Sequence, residues 1–292
     1  GELGEAMYIV GEGTVRVQVT EGGRNRTLAW LGAGEVFGEM ALMMAEPRGA
    51  DVYADEDCTC LVIHKEPLYD HLEQHPKVAH FLTELIGHRL VEGGQISKVG
   101  KYKITHELGR GGMAIVYAGY HPELRRPVAI KMLNHSLAFD RDFAKRFKEE
   151  AEIIAKLEHP NIVRVFDLER AYSTHFIIME MVGGTSLDEM QRNVRHMEET
   201  QARRIILQLA SALDYAHKKG IVHRDMKPEN VMMPPSGQAR LMDFGIAKRV
   251  GQVPDTDDLV GTAEFMSPEQ ARGKDLDGRT DIYALGIMAY EM

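Results

Sequence analysis

Over the first 65 residues, apolar and polar side chains alternate. Val15, Val17 and Val19 interleave with Arg16 and Gln18, the period of a half-buried strand. Gly11-Glu12-Gly13, Glu21-Gly22-Gly23 and Gly32-Ala33-Gly34 punctuate the runs as turns, so this stretch predicts short strands. From Glu66 the period lengthens. Pro67 suits a first helical turn. After Pro76, the residues Val78, Phe81, Leu82, Leu85, Ile86 and Arg89-Leu90 trace one amphipathic helix, ended by Gly93-Gly94. Residues 93–100 read as a linker. Strands restart at Tyr102–Leu108 and Val128–Leu133, followed by a helix around 142–157. A longer helix, about 200–219, carries Ala202, Ile206, Leu209, Leu213 and Ala216 on one stripe and stops at Gly220. Asp281–Met292 reads as an apolar helix within which the chain ends.

One stripe carries an anomaly. Phe143, Phe147, Glu150, Ile154 and Leu157 recur at helical spacing, which puts Glu150 among core positions. A buried carboxylate is costly unless a cation meets it. Lys131 ends the apolar run Val128-Ala129-Ile130-Lys131 and has the same need, whereas Lys145 and Lys148 lie off the Glu150 face.

Composition narrows the classes. A chain of 292 residues has room for two domains, and 44% hydrophobic with 27% charged residues is ordinary for a globular protein. A net charge of -9 argues against a nucleic-acid partner, because phosphate binding wants a basic field. No apolar run is long enough to predict a membrane segment, and no signal peptide is evident. Cys58 and Cys60 would share one face of a strand, too tightly placed for an easy disulfide. They read as packed thiols in a reducing cytoplasm. His71 and His75 have ligand spacing without a third ligand, and read as a solvated helix face.

The chemistry concentrates at His223-Arg224-Asp225-Met226-Lys227-Pro228-Glu229-Asn230, followed by Asp243-Phe244-Gly245. These supply a carboxylate to receive a hydroxyl proton, an Asn and an Asp to hold metal, and a Lys to neutralise a transferred phosphate. Gly109-Arg110-Gly111-Gly112 follows a predicted strand, where glycines let backbone approach phosphate. Together with Lys131 and Glu150, this resembles the protein serine/threonine kinases over about residues 101–292. Met179-Glu180-Met181-Val182 resembles the hinge of that family. Gly261–Glu269 resembles the end of its activation segment, with Ser267 in place of the usual Ala, as in bacterial-type members. Ala114 replaces the third glycine of the loop.

The resemblance implies a role for each residue. Asp225 would be the catalytic base, Asn230 and Asp243 the Mg2+ ligands, Lys227 the γ-phosphate contact and Lys131 the α,β-phosphate contact, paired with Glu150. ATP would lie against Leu108, Gly109, Arg110, Gly111, Gly112, Val116, Ala129, Lys131, Met179, Glu180 and Val182. Asp281 would brace the catalytic loop, and Thr256 would accept a regulatory phosphate that pairs with Arg224.

A second block, Phe37-Gly38-Glu39-Met40-Ala41-Leu42 with Pro47-Arg48-Gly49-Ala50, offers a glycine turn, a short helix with free N–H groups, and an Arg. It resembles the phosphate-binding cassette of cyclic-nucleotide-binding domains. That resemblance implies Glu39 on the ribose 2′-hydroxyl and Arg48 on the cyclic phosphate. Gly38, Met40, Ala41, Gly49 and Ala50 would complete the pocket. Gly49 lacks the hydroxyl that favours guanine, which points to cAMP rather than cGMP. Asp51 adds negative charge near the phosphate.

The expectation is an α+β chain. Residues 1–92 would be a β-barrel cyclic-nucleotide-binding domain with its C-terminal helices, lacking its first strands. Residues 93–100 would link it to a bilobal kinase domain, 101–292, with an incomplete large lobe. The function expected is a cytoplasmic, cyclic-nucleotide-regulated kinase that uses ATP and Mg2+ on Ser/Thr hydroxyls of protein substrates. The alternatives are a pseudokinase-type scaffold without transfer and an active kinase beside a purely structural first domain.

Overall fold

The computed structural model describes residues 4–21, 24–44, 48–92, 98–111, 114–139, 147–148, 151–193, 197–244 and 263–292. The chain divides into two compact units. One takes in Gly1–Arg125, Met132–Arg141 and Glu169–Phe176. The other takes in Arg126–Lys131, Asp142–Leu168 and Ile177–Met292.

The first unit opens with two three-stranded sheets. Strands β1 (Ala6–Glu12), β4 (Val36–Phe37) and β6 (Thr59–His64) form one, in the order β4-β1-β6. Strands β2 (Val15–Glu21), β3 (Arg24–Leu31) and β5 (Asp51–Ala54) form the other, in the order β3-β2-β5. The alternation works as expected: Val15 and Val19 are buried, and Arg16 faces Trp30 and Tyr53 across the pairs on the other side. Val10, Val15 and Leu31 form a small core with Cys58 packed against it. Cys58 lies just before β6 and only Cys60 is on the strand; both thiols are free.

Helix α1 (Glu39–Met44) follows β4, and α2 (Lys65–Gln74) and α3 (Pro76–Glu92) follow β6. Pro67 sits in the first turn of α2 and Pro76 opens α3. The face α3 buries differs from the expected one. Ala79, Leu82, Thr83, Ile86 and Leu90 are buried, while Val78 and Phe81 are exposed. Apolar residues line two faces of this helix, and contacts beyond it decide which is covered. The covering surface is β8 (Tyr102–Arg110) and the short helix α4 (His135–Ala138). Gly87 is needed there: a Cβ would lie 2.9 Å from the Tyr117 hydroxyl and 3.1 Å from Ile115 Cδ1.

The joint between α3 and α4 is polar and buried. The Thr83 hydroxyl meets Asn134 Oδ1 at 3.0 Å and His135 Nδ1 at 2.9 Å, and accepts from the His135 backbone N–H at 2.9 Å. His135 Nε2 donates to the Tyr172 carbonyl at 2.8 Å. Burial lowers the His135 pKa to about 4, against the opposing effect of the Tyr172 carbonyl, so the ring is neutral near pH 7.

A six-stranded sheet has the order β11-β12-β10-β9-β8-β7, with β7 Lys98–Val99, β9 Ala114–His121, β10 Arg126–Leu133, β11 Val165–Ala171 and β12 Thr174–Glu180.

The second unit is mainly helical. It holds α5 (Leu187–Arg192), α6 (Glu199–Lys218), α7 (Pro268–Ala271) and α8 (Gly278–Glu291). It also holds the sheet β13-β14-β15, formed by Thr185–Ser186, Val231–Met233 and Arg240–Leu241. Leu209, Leu213 and Ala216 of α6 are buried as expected, but Ile205 and Ala212 complete the stripe in place of Ala202 and Ile206, which are only half-buried. Each fully buried Leu contributes about 1.5–3 kcal/mol. They join Leu187, Val231, Leu241, Ala284 and Met288 in one core. Helix α8 begins three residues before Asp281, because the Asp277 carboxylate caps it by accepting from the Arg279 N–H at 2.9 Å. Asp281 therefore lies inside the first turn, and is fully buried.

Candidate active site and candidate nucleotide site

In the second unit, α6 delivers the chain to an extended segment that ends in a 3₁₀ turn at Pro228–Asn230. Three groups hold it. The buried Asp281 carboxylate accepts from the His223 N–H at 2.7 Å, the Arg224 N–H at 2.8 Å and His217 Nε2 at 2.7 Å. His223 Nε2 donates to the Met242 carbonyl at 2.9 Å, which leaves Nδ1 to accept from the Asp225 N–H at 3.2 Å. Burial lowers the His223 pKa more than the nearby carboxylates raise it, in keeping with this neutral tautomer. Asn230 Nδ2 donates to the Asp225 carbonyl at 2.7 Å and to its carboxylate at 3.1 Å. Lys227 Nζ stands 3.8 Å from the same carboxylate.

The Met242 N–H donates to the Asn230 carbonyl at 2.9 Å, which brings Asp243 beside the loop. Lys131 Nζ pairs with Asp243 Oδ1 at 2.7 Å. Arg224 and Asp243 both have left-handed backbones, φ 65° and 59°. Such strain costs roughly 1–3 kcal/mol per residue and persists where surroundings over-determine it.

The residues expected to hold ATP divide between the units. In the first, β8 and β9 pair as a hairpin that sets Gly109 opposite Val116 and Arg110 opposite Ile115. The Gly111 N–H donates to the Ala114 carbonyl at 2.9 Å, and Ala114 itself is buried. Leu108 is exposed; Arg110 is engaged by Glu107 and by Glu84 of α3. In the second unit Ala129 and Met179 are buried and Val182 is half-buried. The Glu180 N–H already donates to the Arg164 carbonyl at 2.9 Å, and its carboxylate accepts from Arg240. Gly112, Glu150, Gly245 and Thr256 lie outside the described residues, so the expected Lys131–Glu150 pair and the Thr256 phosphosite do too.

In the first unit, Glu39 opens α1 and is 3% exposed. Its Oε1 accepts from Arg89 Nε of α3 at 3.0 Å, and Arg89 also donates to the Val36 carbonyl at 3.0 Å. Burial raises the Glu39 pKa despite the counteracting Arg89 charge. Arg48 donates to the Ala6 carbonyl at 2.9 Å and lies over the Tyr8 ring. Gly38 is at φ 81°, a backbone that side chains disfavour, and a Cβ there would sit 2.7 Å from an Arg48 nitrogen. Met40 and Ala50 are half-buried, Ala41 is buried and Gly49 is exposed. Arg89 was placed on the stripe of α3 by the sequence, but without a partner or a role. The signal was present, since Arg89 shares a helix face with Leu82 and Ile86, as Glu150 does with its stripe.

Residues 102–292 match the family model described as protein kinase domain. The chain belongs to the protein kinase family. Residues 1–75 of this kinase match the cyclic nucleotide-binding domain. A probable serine/threonine-protein kinase of Streptomyces coelicolor is 42% identical over 201 residues, covering 66% of this chain and 30% of the relative. Serine/threonine-protein kinase PknB of Mycobacterium leprae is 39% identical over 199 residues, covering 66% of this chain and 32% of the relative. The chain thus spans about a third of the length of these curated relatives. The solved PknI kinase domain of Mycobacterium tuberculosis superposes with a TM-score of 0.57 at 33% identity, covering 66% of this chain and 72% of that one.

Proposed function

We propose that this chain carries an ATP-dependent serine/threonine kinase activity governed by a cyclic nucleotide. The observation that carries the transfer reading is the joint placement of Asp225, Lys227 and Asn230, with the Lys131–Asp243 pair on the neighbouring segment. Asp225 is assigned to orient the acceptor hydroxyl and take its proton. Lys227 is assigned to the transferred phosphoryl group, and Lys131 to the phosphates that remain.

Asn230 and Asp243 fit Mg2+: both are hard oxygen donors, joined by the Met242–Asn230 bond, and Mg2+ is commonly held by one or two such groups plus substrate phosphates. When bound, the ion would offset the charge on the phosphates. Leu108, Gly109, Arg110, Gly111, Val116, Ala129, Met179, Glu180 and Val182 are proposed to hold the nucleotide. Because the Glu180 N–H is already committed, its carbonyl is the group left for the adenine edge. We place the reaction in the cytoplasm, where ATP is supplied and the free thiols of Cys58 and Cys60 would stay reduced.

The control reading rests on Glu39 and Arg89. Glu39, proposed to bind the ribose, is latched to α3, and α3 is joined through Thr83 to Asn134 and His135, just after β10. A ligand that takes Glu39 from Arg89 changes how α3 is held. Gly49 favours cAMP over cGMP.

The test is radiolabelled phosphate transfer to a Ser/Thr protein substrate by the intact protein. Asp225→Asn should abolish transfer while ATP still binds. Transfer by the variant at a near wild-type rate would remove the assignment.

A further inference from the structure

The catalytic segment has a strained residue immediately before Asp225. Arg224 is at φ 65°, in the left-handed region that a side chain disfavours. Its N–H and that of His223 are held by the Asp281 carboxylate. The peptide that follows, joining Arg224 to Asp225, sets the direction in which the Asp225 side chain leaves the backbone. Its N–H end is held by His223 Nδ1 at 3.2 Å. Its carbonyl end is held by a residue no motif reading singled out: Gln270 Nε2 donates to the Arg224 carbonyl at 2.8 Å.

Gln270 is itself fixed. It is the third residue of α7, and its Oε1 accepts from the Ser267 N–H at 3.1 Å while the Ser267 hydroxyl accepts from its own N–H at 3.3 Å, a complete capping box. The Ser267 hydroxyl is fully buried against Thr280 at 3.2 Å, and Thr280 donates to Glu269 at 2.9 Å. The amide orientation follows from these partners. A flipped Gln270 would set its NH2 against the Ser267 N–H and its oxygen against the Arg224 carbonyl. With Arg224, Asp225, Met226 and Met266, Gln270 also lines a small cavity.

We infer that Gln270 is a positioning residue for phosphotransfer: through its bond to the Arg224 carbonyl it fixes the peptide plane that aims Asp225. The inference rests on the transfer reading above. It adds a link from the segment Ser267–Gln270 to the catalytic loop that does not pass through Asp281.

Two substitutions separate positioning from helix capping. Gln270→Glu keeps the acceptor of the capping box, where Glu serves as well as Gln, but sets a carboxylate oxygen against the Arg224 carbonyl. Gln270→Lys keeps a donor and loses the acceptor. In the intact protein, Gln270→Glu should lower kcat about tenfold or more, with KM for ATP within about twofold and the melting temperature near wild type. Gln270→Lys should melt lower yet keep a higher kcat than Gln270→Glu. Hydrogen exchange gives a readout independent of turnover: in Gln270→Glu the amides of 223–226 should exchange faster while those of α7 and α8 do not. A Gln270→Glu protein with wild-type kcat, or with unchanged exchange at 223–226, would overturn the inference. Loss of transfer by the wild-type protein itself would strike the transfer reading, and the exchange comparison would still decide the role of Gln270.

Discussion

Asp281 shows how much one side chain can organise. Its carboxylate, fully buried, accepts from two consecutive backbone N–H groups and from His217, and so underwrites the strained Arg224. Asp281→Ala would strand three donors and release the strain at the cost of loop geometry. Hydrogen bonds to a charged group are worth about 1.5–3 kcal/mol, so we expect a loss of roughly 3–5 kcal/mol in urea unfolding together with a collapse of kcat. A loss below about 1 kcal/mol would contradict the bracing role. Residues of this kind were legible in the sequence because they recur in ordered motifs: Asp225, Asn230, Lys227, Asp243 and Asp281 all fall together around one loop. The roles of Gln270 and Arg89 were not, for a physical reason: neither belongs to an ordered motif that names its partner. Each acts on a partner far along the chain, 46 and 50 residues away, and spacing alone does not reveal such partners.

Helix α3 makes the same point for an element. Its existence and limits follow from Pro76 and the glycines after it. Its buried face does not, because apolar residues occupy two sides and Val78 and Phe81 proved exposed. What decides is β8, β9 and α4, with Gly87 admitting the Tyr117 hydroxyl and Thr83 reaching Asn134 and His135. That polar joint has a pH signature. His135 has a pKa of about 4 in the fold against an ordinary value near 6.5, so between these the unfolded chain binds more protons. Stability therefore rises with pH through this window and is lost as pH falls through it. Burial shifts His223 in the same direction. We expect the unfolding free energy to fall on acidification from pH 7 to 4, and the fall to be smaller in His135→Gln by on the order of 3 kcal/mol. Parallel acid limbs for the two proteins, followed by chemical denaturation, would refute the assignment.

For the whole molecule, the sequence motifs carried both family resemblances, and the family matches over 1–75 and 102–292 agree with them. The division into compact units was not legible, because it depends on which strands and helices pack rather than on motif order. The proposed control follows from the same packing. Coupling between a ligand and a conformational equilibrium is limited by differential affinity, typically about 1–3 kcal/mol or 5–150-fold. Arg48, now bonded to the Ala6 carbonyl, is assigned to the cyclic phosphate, and Arg48→Ala should raise the activating concentration about tenfold or more with basal transfer unchanged. The measurement that bears most directly on the account is the dose–response of phosphotransfer rate against cAMP and cGMP in the intact protein, wild type beside Arg48→Ala. A saturable rise in rate is expected, reached at lower cAMP than cGMP, and shifted to higher concentration in the variant. A flat wild-type response to both nucleotides, with basal transfer intact, would contradict it.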